Sequence, residues 1–174
     1  MNRLYLVRHG ENTANLTKEF SYKEVDYSLT PKGVLQAQQT AEYFRDKDIH
    51  AIYSSPLKRA VETAEIIGLC TEKQVEVMET FREVNIGSLE GKKDITGAWV
   101  IHNQVLKNWF NGSLDAAFPD GENHHTLVER VRHGINQVTA GRTNRNILIT
   151  AHGGLFTYSL GVLCDNCSLE QLRG

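Results

Sequence analysis

The apolar positions of this chain alternate between short unbroken runs and runs of helical period. Leu4 to Val7 is continuous and apolar, as in a strand buried on both faces, and Asn146 to Ala151 repeats the pattern near the other end of the chain. His50 to Ser54 and Val75 to Met78 read as two further strands. Between the first two, Thr30 and Pro31 form a cap followed by a first-turn proline, with Leu29 able to staple onto Val34. Val34, Ala37, Ala41 and Phe44 then mark one buried helical face. Ser55 and Pro56 read as the same starting device for a second helix, whose inner positions are Leu57, Val61, Ala64 and Ile67. A third helix spans His124 to about Thr139 through Leu127, Val128, Val131 and Ile135, and a fourth spans Leu155 to Leu163. Strands alternating with helices predict a mainly parallel sheet with helices on both faces.

From about Phe81 to Phe118 the period fades among glycines, Lys92, Lys93, Trp99, Trp109 and Phe110, and residues 84–120 read as an insertion or lid. At 174 residues the chain is expected to form one domain over 1–174. A formal charge of −2 argues against binding nucleic acid through a broad basic field, so any attraction for anions must be local. No apolar run is long enough to span a membrane and Met1-Asn2-Arg3 opens no signal-peptide pattern, so a cytoplasmic location is expected. Cys70, Cys164 and Cys167 are expected to be reduced thiols. The spacing of Cys164 and Cys167 has no second pair to complete a zinc site.

The chemistry lies where the apolar strands end. Leu4 to Val7 runs into Arg8-His9-Gly10, and the later strand runs into His152-Gly153-Gly154. A parallel sheet would bring both tips to one carboxyl edge, where ligands bind in open α/β sheets. Arg8 offers a planar fork for an oxyanion, and Gly10 is expected to let a ligand approach the backbone. Lys58 and Arg59 stand in the first turn of a helix, where the macrodipole disfavours cations, and a bound anion would account for them. Two arginines, two histidines and two glycine-rich turns suit a phosphoryl group. No metal-ligand set or Walker-type loop is evident, because the adjacent His124 and His125 would point apart.

These residues resemble, in order, the blocks of the histidine phosphatase superfamily, also called phosphoglycerate mutase-like. Leu4 to Asn15 is similar to its opening Arg-His-Gly-Glu block, and Ser54 to Ala60 with Thr63-Ala64 to its second. Phe81-Arg82-Glu83-Val84, with Gly87 and Glu90-Gly91, resembles the block that carries its acid. Pro119 to Asn123 resembles a Pro-Gly-Gly-Glu-Ser loop, and Ala151 to Gly154 the closing His-Gly block.

The resemblance implies a three-layer α/β/α sandwich and a metal-independent phosphoric monoester hydrolase of the histidine acid phosphatase type, needing no cofactor. His9 would take the phosphoryl group as phosphohistidine. Arg8, Arg59 and His152 would hold its equatorial oxygens, assisted by Asn15 and by backbone such as that of Gly153. Glu83 would serve as acid and then base, provided burial raises its pKa. The expected partners are a small phosphate ester and, as product, inorganic phosphate, with no nucleic acid or membrane; the oligomeric state is left open.

Ala14, Leu89 and Asn123 depart from the family pattern at positions often aromatic, Trp and Ser, departures expected to alter the leaving-group side. Lys92, Lys93, Trp99, Trp109, His124 and His125 are open candidates for that side or for packing. A final strand common in the family is expected to be short or absent after Cys167 to Leu172. The short region after Gly91 favours hydrolysis over bisphosphoglycerate-dependent mutase chemistry, with a noncatalytic phosphate binder as a third reading.

Overall fold

The computed structural model describes residues 1–164, so Cys167 and the segment where the family's final strand is expected to be short or absent lie outside the described residues. Four strands, β1 (Arg3–Arg8), β2 (Ala51–Ser54), β3 (Val75–Val77) and β4 (Asn146–Ala151), form one parallel sheet in the order β1-β4-β2-β3. Among the described residues six α-helices accompany them: α1 (Thr13–Thr17), α2 (Pro31–Phe44), α3 (Lys58–Thr71), α4 (Ile95–Phe110), α5 (His124–Thr139) and α6 (Gly153–Leu163). The strand alternation sends side chains to two separate cores. Leu148, with Ile52, Tyr5 and Val7, packs with Ala41, Phe44, Ala64 and Ile67 of α2 and α3. Ile147 and Ile149, with Tyr53, Leu4 and Leu6, pack with Leu127, Val131 and Leu155 of α5 and α6 on the opposite face.

Ile147, Leu148 and Ile149 of β4 are each 0% exposed. At about 1.5–3 kcal/mol per buried aliphatic side chain, these three contribute an amount comparable to the whole net stability of a typical domain. A one-residue slip of β4 would exchange its faces, so the register that carries the site is strongly specified.

Two local expectations are corrected and one element is added. β1 meets a core on each face but is only partly buried, because among the described strands it pairs with β4 alone and forms an edge. Ser55 and Pro56 do not open α3: the helix begins at Lys58 after Leu57, without a side-chain cap. Its first N–H is taken instead by Asp26, whose carboxylate accepts from Lys58 N at 2.9 Å. Finally, the segment of fading period contains the 16-residue helix α4. No described helix is long and apolar enough to cross a membrane.

Candidate active site

Parallel pairing aligns Arg8 with Ala151, so the next residue of each strand is a histidine. His9 N donates to Ala151 O at 3.0 Å, and the His9 and His152 ring centres lie 5.2 Å apart. The two tips meet on one sheet edge, as the strand ends predict. His9 is 8% exposed and makes two polar contacts through its ring. Nδ1 lies 2.7 Å from Gly10 O, which can only accept, so Nδ1 carries the proton. Nε2 is then left with its lone pair and accepts from Arg59 Nε at 3.0 Å. Burial first, and then the Arg59 cation, lower the His9 pKa to about 3, so the ring is neutral at ordinary pH. A neutral imidazole with a defined tautomer and an inward lone pair is a competent nucleophile.

Arg59 reaches this position from the first turn of α3 and is 3% exposed. Its terminal nitrogens donate to Ser21 Oγ at 2.7 Å and Ser21 O at 2.9 Å. Burial lowers its pKa, opposed by the carboxylates of Glu83, Asp26 and Glu90. The stretch bearing Ser21 is itself latched. Glu90 accepts from the consecutive backbone N–H groups of Tyr22, Lys23, Glu24 and Val25 at 2.5–3.1 Å. Burial would raise the Glu90 pKa, but these donors outweigh it and the net direction is down.

His152 is 0% exposed. Its Nε2 lies 2.6 Å from Ser55 Oγ, while Nδ1 has no partner among the described residues. Burial, followed by Arg59 and His9, holds its pKa well below the usual histidine range. Ser55 Oγ also accepts from Leu57 N at 3.3 Å, just short of the helix that begins at Lys58. Arg8, in contrast, is exposed at the mouth, and among the described residues its guanidinium donates to no protein group. Asn15 and Asn12 form a reciprocal capping box at α1 in which the Asn15 side-chain oxygen accepts from Asn12 N. The amide nitrogen of Asn15 therefore remains available to a ligand.

Both glycines after His152 are occupied from the side. A Cβ on Gly153 would stand 3.3 Å from Arg8 Nε, and one on Gly154 only 2.8 Å from Glu83 Oε1. Glu83 sits on the N-terminus of α6, accepting from Leu155 N at 2.7 Å, Val84 N at 2.9 Å and Gly154 N at 3.3 Å. Gly10 also serves packing. Its missing Cβ leaves room for Gly33 O, 2.4 Å from where that atom would be, and its N–H donates to Thr63 Oγ1.

A cavity of about 370 Å³ opens over His9, Arg8, Arg59, Asn15 and Glu83 and continues along the side chains of α4. Of the open candidates, Trp99 lines it. Lys92, Lys93, Trp109, His124 and His125 do not, and Trp109 and His124 are buried elsewhere in the core. Ala14 lines the cavity, whereas Leu89 is core and Asn123 caps α5. Among the described residues no group of three His, Cys, Asp or Glu side chains converges to hold a metal ion. Ser21, Phe20 and Tyr158 were not marked by any sequence motif, and Ser55 was marked only as a helix start and as part of the second family block.

The model of the histidine phosphatase superfamily, branch 1, matches residues 4–173. The chain belongs to this superfamily. Within it, the chain is 35% identical over 172 residues to the Hydrogenobacter thermophilus protein named "Putative phosphoserine phosphatase 2", covering 99% of this chain and 83% of that one. It is 33% identical over 153 residues to the Proteus mirabilis protein named "Probable phosphoglycerate mutase GpmB", covering 88% and 70%. The structure of Bacillus stearothermophilus YhfR superposes with a TM-score of 0.85 at 25% identity, over 100% of this chain and 85% of that one. The fold is the phosphoglycerate mutase-like α/β/α sandwich, and the family and its relatives support a phosphatase or mutase enzyme.

Proposed function

We propose that the protein is a metal-independent phosphomonoesterase that hydrolyses a small phosphorylated metabolite through phosphohistidine at His9. The observation that carries this reading is the His9 ring, neutral and protonated at Nδ1, with its Nε2 lone pair facing Arg59 in the cavity. In the first step Nε2 attacks phosphorus, the P–O bond to the alcohol breaks, and a proton from the Glu83 carboxyl goes to the departing oxygen. Arg59 exchanges its contact with Nε2 for a phosphoryl oxygen, and Arg8, His152, Asn15 and the Gly153 backbone complete the oxyanion cradle. In the second step water attacks phosphorus, the P–N bond breaks, and Glu83 takes the water proton, releasing inorganic phosphate and restoring His9. Fixed guanidinium charge supplies the stabilisation that phosphoryl transfer requires.

Brief incubation with a phosphate ester labelled on phosphorus, followed by quenching, tests the reading. Acid-labile label on the wild type but not on His9→Ala is expected, and no label on either would overturn it. A mutase reading is favoured by the relative named for that activity. Net phosphate release from 3-phosphoglycerate, set against isomerisation to 2-phosphoglycerate when bisphosphoglycerate is added, separates the two.

A further inference from the structure

The cavity over His9 has two chemically unlike ends. One holds the charged groups assigned above; the other is a wall of rings. Phe20 and Trp99 lie 4.4 Å apart between ring centres, Trp99 and His102 4.9 Å, and His102 and Phe118 5.4 Å in a stacked arrangement. All four line the cavity, with Tyr158 beside them and only a methyl group contributed by Ala14. Trp99 is fixed by its indole N–H, which donates to Lys18 O at 2.9 Å, so the ring is held in place before any ligand arrives.

The charge at this end is close to nil. Burial lowers the His102 pKa, leaving a neutral ring, and burial raises that of Tyr158, keeping its hydroxyl protonated. Lys18 and Glu19 stand at the rim with one charge of each sign, and Glu19 already accepts from Thr17 Oγ1 at 2.6 Å. Among the described lining residues, no arginine lies beyond Arg8 and Arg59 to meet a second anionic group. A carboxylate carried on the alcohol would lose its water here without gaining a guanidinium, which is costly. A flat apolar group would instead bury area against pre-positioned rings, which favour offset or edge contacts.

We infer that this wall is a stacking subsite selecting phosphate monoesters whose alcohol part is flat and uncharged over those whose alcohol bears a carboxylate. The inference rests on the phosphomonoesterase reading for its substrate class, but the subsite can be tested without turnover. Benzylphosphonate, ethylphosphonate and 3-phosphonopropanoate share a non-hydrolysable phosphorus head and differ in what they place against the wall. Calorimetry on the wild type is expected to give benzylphosphonate about tenfold or more tighter binding than ethylphosphonate, from one ring contact plus apolar burial. The carboxylate compound is expected to bind most weakly.

Trp99→Ala should reduce the benzyl preference to about threefold or less, while Trp99→Phe retains most of it, a rescue that simple loosening of α4 would not give. Equal affinities for benzyl- and ethylphosphonate, or tightest binding of the carboxylate compound, would overturn the subsite. In parallel, phosphate release is followed from benzyl phosphate, ethyl phosphate and 3-phosphoglycerate, the first two being esters of alcohols rather than activated phenols. Highest kcat/KM on benzyl phosphate supports the inference, and highest on 3-phosphoglycerate overturns it. No release from any ester would sink the hydrolase reading while leaving the phosphonate ranking to decide the subsite.

Discussion

Gly154→Ala adds one methyl group at the second residue of α6, where its Cβ would stand 2.8 Å from Glu83 Oε1, 3.2 Å from Cδ and 3.3 Å from Oε2. Ordinary contact begins near 3.4 Å, so the carboxylate must retreat by about half an ångström or more from the start of α6. The bond from Leu155 N, now 2.7 Å, would stretch beyond 3.2 Å and the 3.3 Å bond from Gly154 N would break. Losing one such bond costs about 0.5–1.5 kcal/mol, up to about tenfold in rate where the bond positions the group, and half of the 1 Å misplacement that costs about 10²-fold adds about another tenfold. We therefore expect kcat/KM for alkyl phosphates to fall about 10²-fold. For 4-nitrophenyl phosphate, whose leaving group needs little protonation, the fall should be under about tenfold.

Thermal unfolding separates this from damage to the fold. The φ of Gly154 is not positive, and alanine at a helical glycine without a clash would stabilise by about 0.4–1 kcal/mol. A Tm within a few degrees of the wild type, with the leaving-group-dependent loss, fits the geometry. Equal losses for both ester types, or activity within about threefold of wild type on both, would refute the reasoning.

Five other outcomes follow from the site. The His9 ring should keep the neutral tautomer with the proton on Nδ1 down to about pH 4, read from its ring nitrogen shifts, because its pKa is about 3; protonation with a midpoint near 6.5 would exclude the assignment. The same shift predicts that stability falls as pH drops from 6.5 toward about 3, since the native ring there binds fewer protons than the unfolded one, by at most about 1.4 kcal/mol per pH unit in denaturant titrations. Arg59→Ala should lower kcat about 10²–10³-fold, and Arg59→Lys should not restore it, because one ammonium cannot reproduce the three contacts to His9 and Ser21. Glu83→Gln should slow poor leaving groups more than good ones in steady-state assays, and turnover should persist in EDTA, with loss there and recovery on adding zinc or magnesium counting against the metal-free mechanism.

The pairing of His9 with His152 was legible because two continuous apolar runs stop abruptly at polar residues, and parallel strands must bring such ends together. Arg59 was legible because it violates the helix dipole, although its N–H neighbour is satisfied by Asp26 rather than by a ligand. Helix α4 was not. Ala98, His102, Val105 and Trp109 follow helical spacing, but an imidazole interrupts the stripe and the exposed Val100 and Ile101 blur its polar face. Ser21 lies in a loop without period, and its position depends on Glu90, 65 to 68 residues distant from the N–H groups it binds. Ser55 carried a local cap signal, but the helix begins three residues later, and its contact with His152, 97 residues away in sequence, left no trace in the local pattern.

The latch at Glu90 divides one loop into two parts with separate duties. Residues 22–25 are fastened through their backbone to a single carboxylate, and Ser21 next to them steadies Arg59, whereas Phe20 faces the ring-lined end through its side chain alone. Specificity can thus drift by exchanging position 20 and its partners on α4 while the anchored half keeps the machinery in register. A scaffold with that separation is a convenient starting point for redirecting selectivity.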